Sequence, residues 1–172
     1  KEKNFKLIKN FEHNFISLCN GTLVSFDFSH EEKNKISIEN FNYKKERKLD
    51  KKNSLNFLNH ALASGGFSLE IYENYKFKKP LVIYNNFSSL LKETIINYKN
   101  SITINENSEL NLINYIDNSS KENFMVNAID NINMKKNSSL NNILINNSKC
   151  NGYFYKYIKS DLEKNSNLEN YL

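Results

Sequence analysis

Asn107-Ser108-Glu109-Leu110, Asn137-Ser138-Ser139-Leu140 and Asn165-Ser166-Asn167-Leu168 repeat one pattern, Asn-Ser-x-Leu, 30 and then 28 positions apart. Each copy follows a short strand-like run, and the first two precede another, Leu112-Ile113 and Ile143-Leu144-Ile145. A fixed period of this size marks a solenoid, in which no unit buries its apolar face alone and stacking makes a continuous core. Each unit reads as strand, polar turn, strand, with Leu110, Leu140 and Leu168 expected to form one inward ladder. Helical repeats are the competing solenoid. Apolar runs of ~6 residues rich in β-branched and aromatic side chains favour strands.

Outward from the repeat, the same reading covers everything after Gly66. Phe67, Leu69 and Ile71 alternate as in a strand, and Leu81-Val82-Ile83-Tyr84 follows Pro80, the only proline. Further strands are expected at Ile102-Thr103-Ile104, Leu110 to Ile116, Phe124 to Ile129, Leu140 to Ile145 and Tyr153 to Ile158. Residues 67–172 therefore form the coils. An apolar edge left open at Leu172 is something stable proteins avoid, so further coils or a capping partner are expected.

Residues 1–66 read differently, as a hairpin, a polar loop and one short helix leading into the solenoid. Apolar residues on both sides of Asn20-Gly21 signal a tight hairpin, because both turn positions need φ > 0. Residues 29–52 are mostly polar, broken by Ile36, Ile38 and Phe41, and end in the charged runs Lys44-Lys45-Glu46-Arg47-Lys48 and Lys51-Lys52, read as a solvated loop. Asn53 and Ser54 are good N-caps, Leu55, Leu58 and Leu62 follow at helical spacing, and Gly65-Gly66 reads as the stop.

The 172 residues suit one domain, with 39% hydrophobic and 13% aromatic residues to supply a core. No stretch approaches the ~20 apolar residues of a membrane-spanning helix. Lys1 to Lys9 lacks the apolar segment of a signal peptide, and the missing initial Met suggests a fragment or a trimmed product. A net charge of +5 invites a nucleic-acid reading, but Arg47 is the sole arginine among 24 basic residues, and arginine makes most bidentate phosphate and base contacts. The abundance of Lys, Asn and Ile points instead to a compositional bias, which also accounts for the Asn-x-Ser/Thr tripeptides at Asn20, Asn86, Asn118, Asn137 and Asn146. Cys19 and Cys150 stand alone, as structural thiols in a reducing compartment do.

Nothing in the chain assembles a catalytic or metal signature. His13, His30 and His60 show no i, i+4 pairing and have no cysteine near them. Phosphate loops, GxSxG and HExxH are absent from the sequence. Asp117, Asp130 and Asp161 recur at no common coil position, unlike the paired carboxylates of β-helix lyases and hydrolases. The period and the lack of any histidine after Phe67 exclude a hexapeptide-type acyltransferase. No catalytic, cofactor-binding or metal residue is expected.

One resemblance adds to this reading. Leu58-Asn59-His60-Ala61-Leu62 followed by Gly65-Gly66-Phe67-Ser68-Leu69-Glu70-Ile71 resembles the LN-x-A-L…G-x-F-x-x-x-(I/V) stretch of the SufB/SufD family. Lys79-Pro80-Leu81-Val82-Ile83 is similar to its K-P-(I/L) strand, and Ile104 to Leu110 to one of its coil openings. Cys19-Asn20-Gly21-Thr22-Leu23-Val24 resembles the hairpin that precedes these in SufD. Ile116-Asp117-Asn118 stands where SufB carries an E-G-C signature, which favours the SufD side. The resemblance implies a right-handed parallel β-helix and a non-enzymatic scaffold of iron–sulfur cluster assembly. It further implies pairing with a SufB-like subunit and, through a C-terminal region, with a SufC-like ATPase. The cluster would be handled by the complex rather than bound by this segment, in the cytoplasm or a plastid-type organelle. The Cys-x-His segment of the family's late coils has no counterpart before Leu172, so no functional residue carries over. The rival reading is a secreted β-helix that binds or cleaves carbohydrate, with Tyr153, Tyr155 and Tyr157 alternating along one strand as candidate groove residues.

Overall fold

The computed structural model describes residues 6–43, 53–87, 91–116, 123–147 and 152–171. The charged runs at 44–48 and 51–52, Asp117, Asn118, Cys150 and Leu172 lie outside the described residues.

Asn20 and Gly21, at φ 52° and 79°, turn β1 (Asn14–Cys19) into the antiparallel β2 (Thr22–Asp27), as a two-residue hairpin requires. A strand that the sequence did not announce follows: β3 (Ile36–Asn40) lies within the stretch read as loop and pairs antiparallel with β4 (Phe67–Ile71). Its signal was the short alternation of Ile36 and Ile38, both half-buried against the core, between polar neighbours that face water on an edge strand.

From β4 the chain alternates between two sheets. β5 (Leu81–Asn86), β7 (Glu109–Ile116), β9 (Ser139–Asn146) and β11 (Asn167–Tyr171) build one, and β6 (Thr94–Ile104), β8 (Phe124–Met134) and β10 (Tyr153–Leu162) extend the other. The orders are β11-β9-β7-β5-β1-β2 and β10-β8-β6-β4-β3. All pairs are parallel except β1–β2 and β3–β4 at the N-terminal edges. The result is a parallel β-solenoid of about three turns, mostly β, with the expected hairpin and helix at its start. The expected strands are present, several longer than their apolar runs.

The repeat sits at the turn between the two sheets. Asn74, Asn107, Asn137 and Asn165 all adopt the left-handed conformation (φ 57–60°), which asparagine tolerates better than other non-glycine residues. Their amides stack: each Nδ2 donates to the Oδ1 of the coil before, at 3.0, 3.0 and 3.3 Å. The following serine tightens the turn, Ser138 Oγ donating to the Lys135 carbonyl at 2.6 Å and Ser166 Oγ to that of Glu163 at 2.7 Å. Leu110, Leu140 and Leu168 are in register and point inward, with Leu140 fully buried. Beside them run Leu69–Ile102–Ile132 and Ile71–Ile104–Met134 from the other sheet. The first turn hid from the repeat pattern because Tyr75 stands where later coils carry serine; its N–H donates instead to Ser108 Oγ of the next coil.

The helix α1 (Ser54–Leu62) forms as capped, with Asn53 Oδ1 accepting from the N–H groups of Leu55 and Asn56. Its buried side chains are Asn56 and Asn59, while Leu62 is exposed and Leu55 and Leu58 are half-buried. The leucine stripe is therefore not what docks it. The outer sheet face beneath is polar, and amides match it: Asn59 Nδ2 donates to the carbonyls of Tyr98 and Asn127, and Asn127 Nδ2 returns a bond to the Leu55 carbonyl. The helix also ends at Leu62, ahead of the glycine pair. Gly65 and Gly66 serve a closer constraint, since a Cβ on Gly66 (φ 115°) would stand 1.8 Å from the Lys99 carbonyl oxygen.

Candidate functional site

Inward positions of a solenoid are ordinarily apolar, so the polar ones carry the information. Asn100, Asp130, Asn114 and Asn142 are all buried, and Lys156 reaches in beside them. Asp130 Oδ1 accepts from Asn100 Nδ2 at 2.8 Å, and Oδ2 pairs with Lys156 Nζ at 2.8 Å. The same ammonium donates to Asn114 Oδ1 at 3.0 Å. Asn114 Nδ2 then donates to Asn142, and Asn142 Nδ2 to Asn170, each at 2.9 Å. One hydrogen-bonded chain thus joins the inner faces of both sheets across the coils. Among the described residues Asn100 Oδ1 has no hydrogen-bond partner. Next to it, burial pushes the Tyr98 hydroxyl far above its ordinary range, and the Asp130 charge adds to this; the phenol donates to Asn85 Oδ1. A network of this kind selects register, because sliding a coil by one position would bury charges without partners.

A second cluster ties the hairpin to the first coil. Glu31 Oε1 accepts from Asn14 Nδ2 at 2.8 Å, Oε2 from the Tyr75 hydroxyl at 2.7 Å, and the carboxylate also takes the N–H groups of Lys78 and Lys79. Burial raises the Glu31 pKa, but the bonds from Tyr75, Lys78, Asn14 and Lys79 together outweigh it and hold the group below its usual 4.5. Tyr75 is pushed up to about 12, chiefly by burial.

The candidate residues named from sequence are scattered. His13 donates from Nδ1 to the Phe11 carbonyl, so its Nε2 accepts from the Tyr84 hydroxyl at 2.7 Å, on the outside of the hairpin sheet. His30 is exposed, His60 half-buried on α1, and Cys19 is a free thiol at the end of β1. Asp130 is interior and Asp161 exposed. Among the described residues no three His, Cys, Asp or Glu side chains come together in a way that could hold a metal ion. Of the three tyrosines, Tyr153 is 79% exposed, the Tyr155 hydroxyl is held between Asn53 and Asn56 at α1, and Tyr157 is half-buried. Sequence reasoning missed the interior network, whose signal was the Asn and Asp at inward positions of otherwise apolar strands.

Fold and interior together define a parallel β-solenoid with a polar register network inside it. No family model and no curated protein matches the chain.

Proposed function

We propose that the chain is a SufD-like scaffold subunit of the iron–sulfur cluster assembly machinery, non-catalytic in itself. It pairs with a SufB-like subunit and reaches a SufC-like ATPase through a region C-terminal to these coils. The supporting observation is where the family-like residues fall. Asn59 of the Leu-Asn-x-Ala-Leu segment is fully buried and carries the docking of α1. Gly66 cannot carry a side chain, and Phe67, Leu69 and Ile71 are buried core. Part of the resemblance thus falls on positions whose geometry restricts the residue, while Ala61 and Leu62 of the same stretch are exposed. The interior chemistry suits a scaffold: its charged groups bond one another and hold coils in place. Among the described residues no helix is long and apolar enough to cross a membrane; the proposed site of action is the cytoplasm or a plastid-type organelle.

The cellular test is depletion of the gene carrying this chain where no second assembly system operates. Iron–sulfur enzymes should lose activity while zinc enzymes keep theirs. Unchanged iron–sulfur activity would remove the reading.

A further inference from the structure

Three side chains of the interior network meet in an arrangement that register alone does not call for. Lys156 of β10 and Asp130 of β8 come from one sheet, and Asn114 of β7 from the other. Lys156 Nζ stands 2.8 Å from Asp130 Oδ2 and 3.0 Å from Asn114 Oδ1. Asp130 is 2% exposed and Asn114 1%, so all but the lysine stem is sealed from water. An ion pair would suffice to align two coils. The third contact does something further: it places an amine against a carboxamide.

In water these two groups do not react, because the amine is protonated and nothing holds it at the amide carbon. The solenoid interior removes both obstacles. Asp130 faces the ammonium, and moving one proton between them turns a buried ion pair into a neutral pair, which a site out of water favours relative to solvent. Orientation is supplied by fixed neighbours, which convert an encounter of two groups into a step within one site. The Asn114 amide is held by its Nδ2 bond to Asn142 at 2.9 Å, and Asp130 by the Asn100 amide at 2.8 Å. The amide carbon lies ~1.2 Å from the oxygen that Nζ already touches, so a small rotation of the lysine end brings the amine onto it.

We infer that the chain joins Lys156 to Asn114 through an isopeptide bond of its own making. Asp130 takes a proton from the ammonium, and the freed Nζ attacks Cγ of Asn114 to form the new C–N bond. The Cγ–Nδ2 bond breaks as Asp130 gives that proton to Nδ2 and takes a second one from Nζ. Ammonia departs, collects the second proton as ammonium, and Asp130 is again a carboxylate. The step consumes no oxidant, cofactor or partner and happens once per chain. Its product ties β7 to β10 across the core, between residues 42 positions apart. It does not depend on pairing with a SufB-like subunit.

The test is mass spectrometry of the purified chain held at neutral pH, as the denatured intact protein and as tryptic peptides. The chain should be one ammonia lighter than its sequence. One branched peptide should carry an uncleaved Lys156 joined to the peptide that contains Asn114. Asp130→Asn keeps both reactants and should slow bond formation by about a hundredfold or more, read as the fraction of full-mass chain over time; Lys156→Arg should abolish it. A full-mass chain with separate peptides would overturn the inference. So would the same mass loss without the branched peptide, which is what succinimide closure at Asn20-Gly21 produces. A branched peptide formed equally fast in Asp130→Asn would overturn the proton-carrying step. The unsubstituted chain decides whether the bond exists even if a variant fails to fold.

Discussion

Removing the Lys156 side chain as Lys156→Met should be among the most damaging single changes in the interior. Asp130 is 2% exposed and Lys156 16%, so their 2.8 Å pair is largely out of water. Without the ammonium, Asp130 keeps the Asn100 bond alone, and Asn114 Oδ1 loses the donor it has from Lys156. Breaking a buried pair from one side costs about 3–5 kcal/mol, because the remaining charge stays buried and uncompensated. Replacing both ends, Lys156→Met with Asp130→Leu, removes the charge problem and should cost far less than the sum of the singles. The expected coupling is about 2–4 kcal/mol in the direction of rescue. Urea unfolding at neutral pH measures it, with an unchanged m-value as the check that the same surface unfolds. If the single costs under about 1 kcal/mol, or if the singles add to within about 0.5 kcal/mol, the pair does not order the coils and the register argument is wrong.

Three further outcomes follow from the same geometry. Leu140→Ala, at a fully buried ladder position, should lose about 2–5 kcal/mol, and Leu168→Ala, half-buried, clearly less, by the same unfolding assay. Gly66→Ala should lose more than the ~1–3 kcal/mol of backbone strain alone, since its Cβ meets the Lys99 carbonyl; a melting temperature near wild type would contradict the close approach. Glu31 is held below its usual pKa in the folded state, so its contribution is present above about pH 4.5 and is lost as pH falls through the lowered folded value. Thermal melts from neutral to acid pH should show that loss, and Glu31→Gln should be less stable at neutral pH with a flatter acid limb.

The sequence carried the repeat because the turn is built from local chemistry. A left-handed residue, a back-bonding hydroxyl and an inward leucine need a fixed spacing, so Asn137-Ser138-Ser139-Leu140 is readable without a structure. The hairpin at Asn20-Gly21 and the cap at Asn53 were legible for the same reason. What was not legible depends on long-range pairing. Ile36 and Ile38 are too short a signal to separate an edge strand from a loop, and β4 supplies the difference. Spacing suggested that α1 buries leucines; the sheet face beneath reversed this by offering carbonyls to Asn59 and the Tyr155 hydroxyl to Asn56. Asp130 and Lys156 are 26 positions apart, and only the stacking of β10 on β8 makes them diagonal neighbours, Asp130 lying opposite Ile158 and Lys156 opposite Ala128.

Native mass spectrometry of this chain co-expressed with a SufB-like subunit tests the scaffold reading most directly. A one-to-one heterodimer that persists through dilution is the predicted result. Two separate species at every concentration, with both chains folded, would contradict it.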